Sequence, residues 1–192
     1  MCSILPILIF IRMKQINKNF SKSFPLWLAC GLKETYRTSL HYIKFANGCA
    51  YATDSYILVR ARLTDISDFD EPDLALLEGK YIHGNNFKKI VKSKGVINIT
   101  EDFIEVTETD YSVRYPLLKG IHFPECEKVL NGESEVRFQK EFGISADYLN
   151  TLSEVMDCYN GVQMEWRSNR MFLVKPIGGH KDIKGVIMTK MC

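Results

Sequence analysis

The sequence predicts an α+β protein built from three recurring βαββ-type units. Three times, alternating apolar runs meet at a turn dipeptide, at Asn47-Gly48, Glu101-Asp102 and Ser168-Asn169, and a helix-spaced stretch precedes each pair. The turns stand 54 and 67 residues apart, so one supersecondary unit recurs at a period longer than that of common solenoids. With 192 residues, 46% hydrophobic and 25% charged, the chain has ordinary globular composition and room for one or two modest domains.

The units read in order as follows. A short alternating segment, Lys14 to Asn19, leads to Leu26, Trp27, Leu28, Ala29, Leu32 and Tyr36, whose spacing predicts a helix begun by Ser23 and Pro25. Strands follow at Tyr42 to Phe45, Cys49 to Thr53 and Tyr56 to Leu63, the first two joined by Asn-Gly, which suits a type I′ hairpin turn. Asp65 to Gly79 reads as an acidic, solvent-facing loop. The second unit has a strand at Lys80 to His83, a helix capped by Asn85 or Asn86, and strands at Val96 to Thr100, Phe103 to Thr107 and Tyr111 to Leu117. Pro124, flanked by Gly120 and Gly132, marks a connector. Beyond it, Val136 to Ile144 predicts a strand. Ser145 then caps a helix with apolar face Tyr148, Leu149, Leu152, Val155 and Met156, and strands run at Val162 to Trp166, Met171 to Val174 and Ile183 to Met191. This divides the chain into an extension (1–12), a two-unit domain (13–122), the connector (123–132) and a third unit (133–192).

Composition excludes several functions. Six scattered cysteines without a C-x-x-C pair and four separated histidines argue for packing thiols in a reducing, cytosolic setting, and give no metal or cofactor motif. The apolar run Ile4 to Ile11 is too short for a bilayer that needs roughly 20 residues, and lacks the flanks of a signal peptide, so Met13 is read as the start of the useful chain and no membrane partner is expected. No phosphate loop, nucleophile elbow or H-E-x-x-H is present, and the sequence reads as a non-enzyme.

A net charge of +2 implies no nucleic acid by itself, but Lys88, Lys89, Lys92 and Lys94 concentrate four charges within two turns. Lys88 and Lys92 stand i, i+4 apart, while Phe87, Ile90 and Val91 fall on the opposite side. Two readings fit: a solvated helix face, or lysines laid along a phosphate backbone without reading sequence.

Four segments resemble the bacterial DNA polymerase sliding clamp, the β subunit family. Ala52-Thr53-Asp54-Ser55-Tyr56-Ile57-Leu58 is similar to A-T-D-G-x-x-L, and Phe123-Pro124-Glu125-Cys126-Glu127-Lys128-Val129-Leu130 to F-P-D-Y-x-x-V-L/I. Gly143 to Leu149 resembles F-N-x-x-Y-L, and Gly185 to Met191 the closing Y-V-I-M-P-M, all in family order. Ser55 replaces a glycine, Cys126 an aromatic and Thr189 a proline.

The resemblance implies a DNA-clamp-like fold, antiparallel sheets outside and helices on one face, with Lys88, Lys89, Lys92 and Lys94 toward double-stranded DNA bound non-specifically. It also implies an apolar groove for short motifs of DNA polymerase or other replication proteins, carried onto Thr53, Tyr56, Leu58, Pro124, Val129 and Met188. Those six equally suit an ordinary inter-unit core. Three helices cannot surround a duplex, so encirclement implies a homo-oligomer. The alternative is a monomeric clamp-fold adaptor or competitor that binds replication proteins without encircling DNA.

Overall fold

Among the described residues, ten strands fall into two antiparallel sheets. A computed structural model describes residues 18–132, 143–158, 160–167, 171–178 and 182–189. The first unit gives β1 (Tyr42–Ala46), β2 (Cys49–Thr53) and β3 (Ile57–Arg62), followed by two short helices, α1 (Leu63–Ile66) and α2 (Glu71–Ala75). The second gives β4 (Tyr81–His83), α3 (Gly84–Lys92), β5 (Val96–Ile99), β6 (Phe103–Thr107) and β7 (Ser112–Pro116). After α4 (Cys126–Asn131) come α5 (Ala146–Val155), β8 (Val162–Arg167), β9 (Met171–Pro176) and β10 (Ile183–Met188). β5, β6 and β7 form a three-stranded sheet, and the others one sheet in the order β4-β1-β2-β3-β10-β9-β8.

That order shows how the last unit is accommodated. β10 pairs antiparallel with β3, from Ile183 opposite Ala61 to Ile187 opposite Ile57, so the first and last units share one sheet. Period-2 alternation then divides the strands between two cores. Ile43, Phe45, Ala50, Ala52, Ile57, Val59, Ile183 and Ile187 face α3 and α5, and Ile97, Ile99, Ile104 and Val106 of the smaller sheet join that core. Cys49, Tyr51, Leu58, Leu173 and Val186 face the other way, beneath Phe123, Cys126 and Leu130. Gly185 lets α5 lie close, since a Cβ there would meet Leu152 Cδ2 at 3.0 Å and Met156 Sδ at 3.3 Å.

The expected hairpins at Asn47 and Glu101 are present, the first with φ of 53° at Asn47 and 66° at Gly48. Several expectations need correction. The helix expected from Leu26 onward is a single 3-10 turn, Leu26–Ala29, with a second at Thr38–His41. Cys30 is extended and the Gly31 N–H bonds Leu40 O, which reverses the chain; Leu26, Trp27 and Ala29 are buried without a continuous helix. The acidic segment 65–79 is not a solvent-facing loop. Ile66, Phe69, Leu74 and Leu77 are buried, with the Phe69 ring 5.0 Å from Phe20, while Asp68, Asp70, Glu71 and Glu78 are among the residues left exposed. The connector is partly helical, because Cys126 and Leu130, one turn apart, both bury against the sheet. Expectations for the extension, for most of 136–144 and for the turn at Ser168-Asn169 lie outside the described residues. No helix among the described residues is long and apolar enough to cross a membrane.

Candidate functional site

α3 is oriented by its buried side. Phe87, 1% exposed, sits with ring centroids 5.0 Å from Phe20, 6.4 Å from Phe45 and 6.5 Å from Trp27, and Ile90 and Val91 bury beside it. At 100° per residue this leaves Lys88, Lys89 and Lys92 exposed, and Lys94 follows just beyond the helix end, also exposed. Among the described residues none of the four joins an ion pair; Lys92 Nζ lies 6.0 Å from the Trp27 ring centroid. Lys88, Lys89 and Lys92 line an open cleft of about 610 Å³ together with Glu108, Tyr111, Val113 and Tyr115.

The helix begins differently from the expected asparagine cap. His83 Nδ1 accepts the Asn85 N–H at 3.2 Å, so a neutral imidazole caps α3. Burial, and then His41 with its ring 5.8 Å away, holds the His83 pKa below the ordinary histidine value of 6.5. A base whose folded pKa is depressed contributes stability that is present above 6.5 and lost as pH falls through the depressed value. Protonation also removes the accepting lone pair and puts positive charge at a helix N-terminus. The protection factor of the Asn85 amide and of its first-turn neighbours is therefore expected to fall as pH drops below about 6.5, while those of β2 and β3 hold. His83→Asn should keep a cap and flatten this dependence; an unchanged pH profile in that variant would remove His83 from the role.

The predicted groove residues fall into two groups. Thr53, Leu58, Val186 and Leu173 stand side by side across four strands on the face away from α3. Thr53 Oγ1 donates to Ile57 O at 2.6 Å, Leu58 is 5% exposed, and Val129 packs from α4 onto the same cluster. Met188, 39% exposed, lies two residues beyond Val186 on that face, its N–H bonded to Tyr56 O at 2.9 Å. Pro124 is exposed, two residues before the start of α4.

Tyr56 lies elsewhere. Ser55 adopts φ of 82°, and Asp54 Oδ1 accepts the N–H groups of Tyr56 at 2.9 Å and Ile57 at 2.8 Å. That turn lays the Tyr56 ring on Tyr148 of α5, centroids 5.4 Å apart and planes 15° from parallel, on the helix side.

Sequence reasoning missed the polar brace on this face of the sheet. Arg60 contacts Asp182 at 3.3 Å and Glu127 of α4 at 3.4 Å, Arg62 reaches Asp182 at 3.0 Å, and the Tyr51 hydroxyl donates to Glu127. Partial burial raises the Asp182 pKa, but Arg60, Lys184 and Arg62 outweigh it and hold the carboxyl below its usual range. Burial and the bond to Glu127 raise the Tyr51 pKa. The alternation of β3 put Arg60 and Arg62 opposite Val59 and Ala61; nothing local announced Asp182. Cys126 is a packing thiol in the roof of this face, pushed up to about 12 by burial. No group of His, Cys, Asp and Glu among the described residues is arranged to hold a metal ion.

No protein-family model and no curated protein matches this sequence. Solved structures do match its fold. The DNA polymerase sliding clamp of Bacillus subtilis superposes with a TM-score of 0.58 at 13% identity, over 97% of this chain and 67% of that one. The DNA polymerase III β subunit of Thermotoga maritima gives 0.55 at 11% identity, over 90% of this chain. A Helicobacter pylori β clamp bound to a DNA ligase peptide gives 0.50 at 10%, over 88%. This chain spans 63% of the length of each of the latter two. At these identities the likeness establishes one thing, that the chain has the fold of bacterial sliding clamps.

Proposed function

We propose that this protein is a cytoplasmic, sliding-clamp-like replication accessory protein. Lys88, Lys89, Lys92 and Lys94 hold duplex DNA through its phosphates without reading sequence. The face formed by Thr53, Leu58, Val129 and Met188, with Pro124 at its rim, takes a short apolar motif of a DNA polymerase or another replication protein. The observation that carries the reading is the α3 surface: exposed lysines without carboxylate partners among the described residues, held in one direction by a buried aromatic anchor. The clamp fold supports it, and the H. pylori clamp is a protein of this fold with a peptide bound.

Encirclement needs further copies of the chain, joined through strands such as β5 and β7, which are edges among the described residues. One observation favours the second reading, a monomeric adaptor. α5 shares the helical face with α3 but exposes Asp147 and Glu154, which repel phosphate. Light scattering over a concentration series separates the two: a discrete oligomer supports the ring, and a persistent monomer removes encirclement. In both readings Met188→Ala, at the exposed rim, should weaken a bound clamp-binding peptide roughly tenfold; unchanged affinity by calorimetry would place the groove elsewhere.

A further inference from the structure

A second cleft, of about 620 Å³, opens on the other side of the first turn of α3. Trp27, Lys33, Asp54, Tyr56, Lys88 and Tyr148 line it, so Lys88 belongs to both clefts. Its aromatic wall is the Tyr56–Tyr148 stack. Tyr56 remains 54% exposed, leaving part of its ring open to the cleft.

Two carboxylates, Asp54 and Glu34, share the cleft with Lys33 and Lys88, so its formal charge balances, and both acids are turned toward backbone amides. Asp54 Oδ1 is committed to the Tyr56 and Ile57 amides, and Glu34 Oε1 accepts the Tyr36 N–H at 3.1 Å. Lys33 and Lys88 join no ion pair among the described residues. The turn that presents Tyr56 is also braced: Ser55, a non-glycine residue at φ of 82°, donates its N–H to Thr53 Oγ1 at 3.1 Å and receives Arg37 Nη1 on its Oγ at 3.1 Å. Such a backbone persists only where its surroundings hold it, and here they hold a tyrosine ring outward.

We propose that this cleft binds an unpaired nucleotide of a DNA strand that continues from the duplex on α3. The base stacks on Tyr56, and Lys88 and Lys33 take the phosphates on either side. A duplex presents its bases already stacked on one another, so a free aromatic face beside a phosphate-binding lysine discriminates for single-stranded DNA at a junction. The inference rests on the reading of α3 as a DNA-binding helix, and adds the class of DNA end that this surface selects.

Fluorescence anisotropy on the full chain tests it with three labelled probes: a blunt duplex, the same duplex with a short single-stranded tail, and an oligothymidylate. Wild type should bind the tailed duplex more tightly than the blunt one. Tyr56→Ala should lower affinity for the tailed duplex and the oligothymidylate by about five- to a hundredfold, the range one base–aromatic stack supplies, with blunt-duplex binding unchanged. Tyr56→Phe should restore the preference and exclude a folding defect. Equal binding of tailed and blunt duplexes, or a preference that survives Tyr56→Ala, overturns the platform and leaves the lysine helix standing. Failure to bind any of the three overturns both. Tyr56-dependent binding of the oligothymidylate alone keeps the platform and removes the duplex reading.

Discussion

Changing Lys88, Lys89 and Lys92 together to glutamate should reduce duplex affinity by orders of magnitude and make the slope of log affinity against log salt shallower by about three units. Each lysine that neutralises a phosphate releases close to one counterion. The three side chains are exposed and lie on the face of α3 away from Phe87, so the helix itself should survive. Peptide binding on the opposite face of the sheet should not change. A triple variant that binds duplex DNA with the wild-type salt slope would show that these lysines only keep the helix solvated.

The second large effect is on stability. Phe87→Ala removes a ring packed among Phe20, Phe45 and Trp27, and such truncations cost about 3–5 kcal/mol. In a domain of this size that corresponds to a fall in Tm of roughly 10 °C, measurable by calorimetry or by denaturant midpoint. The loss should appear first as exchange of the α3 amides, because Phe87 is the largest of the side chains, with Ile90 and Val91, through which that helix is buried. A cost below about 1 kcal/mol would mean that α3 is held by its ends, not by its aromatic anchor.

Much of this architecture was legible locally. Asn47-Gly48 announced its hairpin because only a few residues tolerate two positive φ values in succession. The helical spacing of Phe87, Ile90 and Val91 gave the buried side of α3 correctly, and with it the exposed lysines. What was illegible depended on distant chain. The spacing of Leu26, Trp27 and Ala29 reported burial, and burial alone does not distinguish a helix from a 3-10 turn. The acids of 65–79 concealed Phe69 and Leu77, whose partners are set by Phe20 and the first sheet. The turn of Tyr56 onto Tyr148 could not be read at all, since its stacking partner lies on a helix of the last unit.

The pairing of β3 with β10 also sets a timetable. During synthesis β1 to β3 emerge early, yet 122 positions separate Arg60 from its partner Asp182. At ribosomal rates the outer edge of β3 waits roughly 6 to 25 seconds for its neighbour. An open edge invites pairing with another nascent chain, and charged side chains are the usual deterrent. Arg60 and Arg62 guard that edge until Asp182 arrives to pair with both. The surface that sets Leu58 of one strand beside Val186 and Met188 of the other therefore comes into being only when translation has passed residue 188.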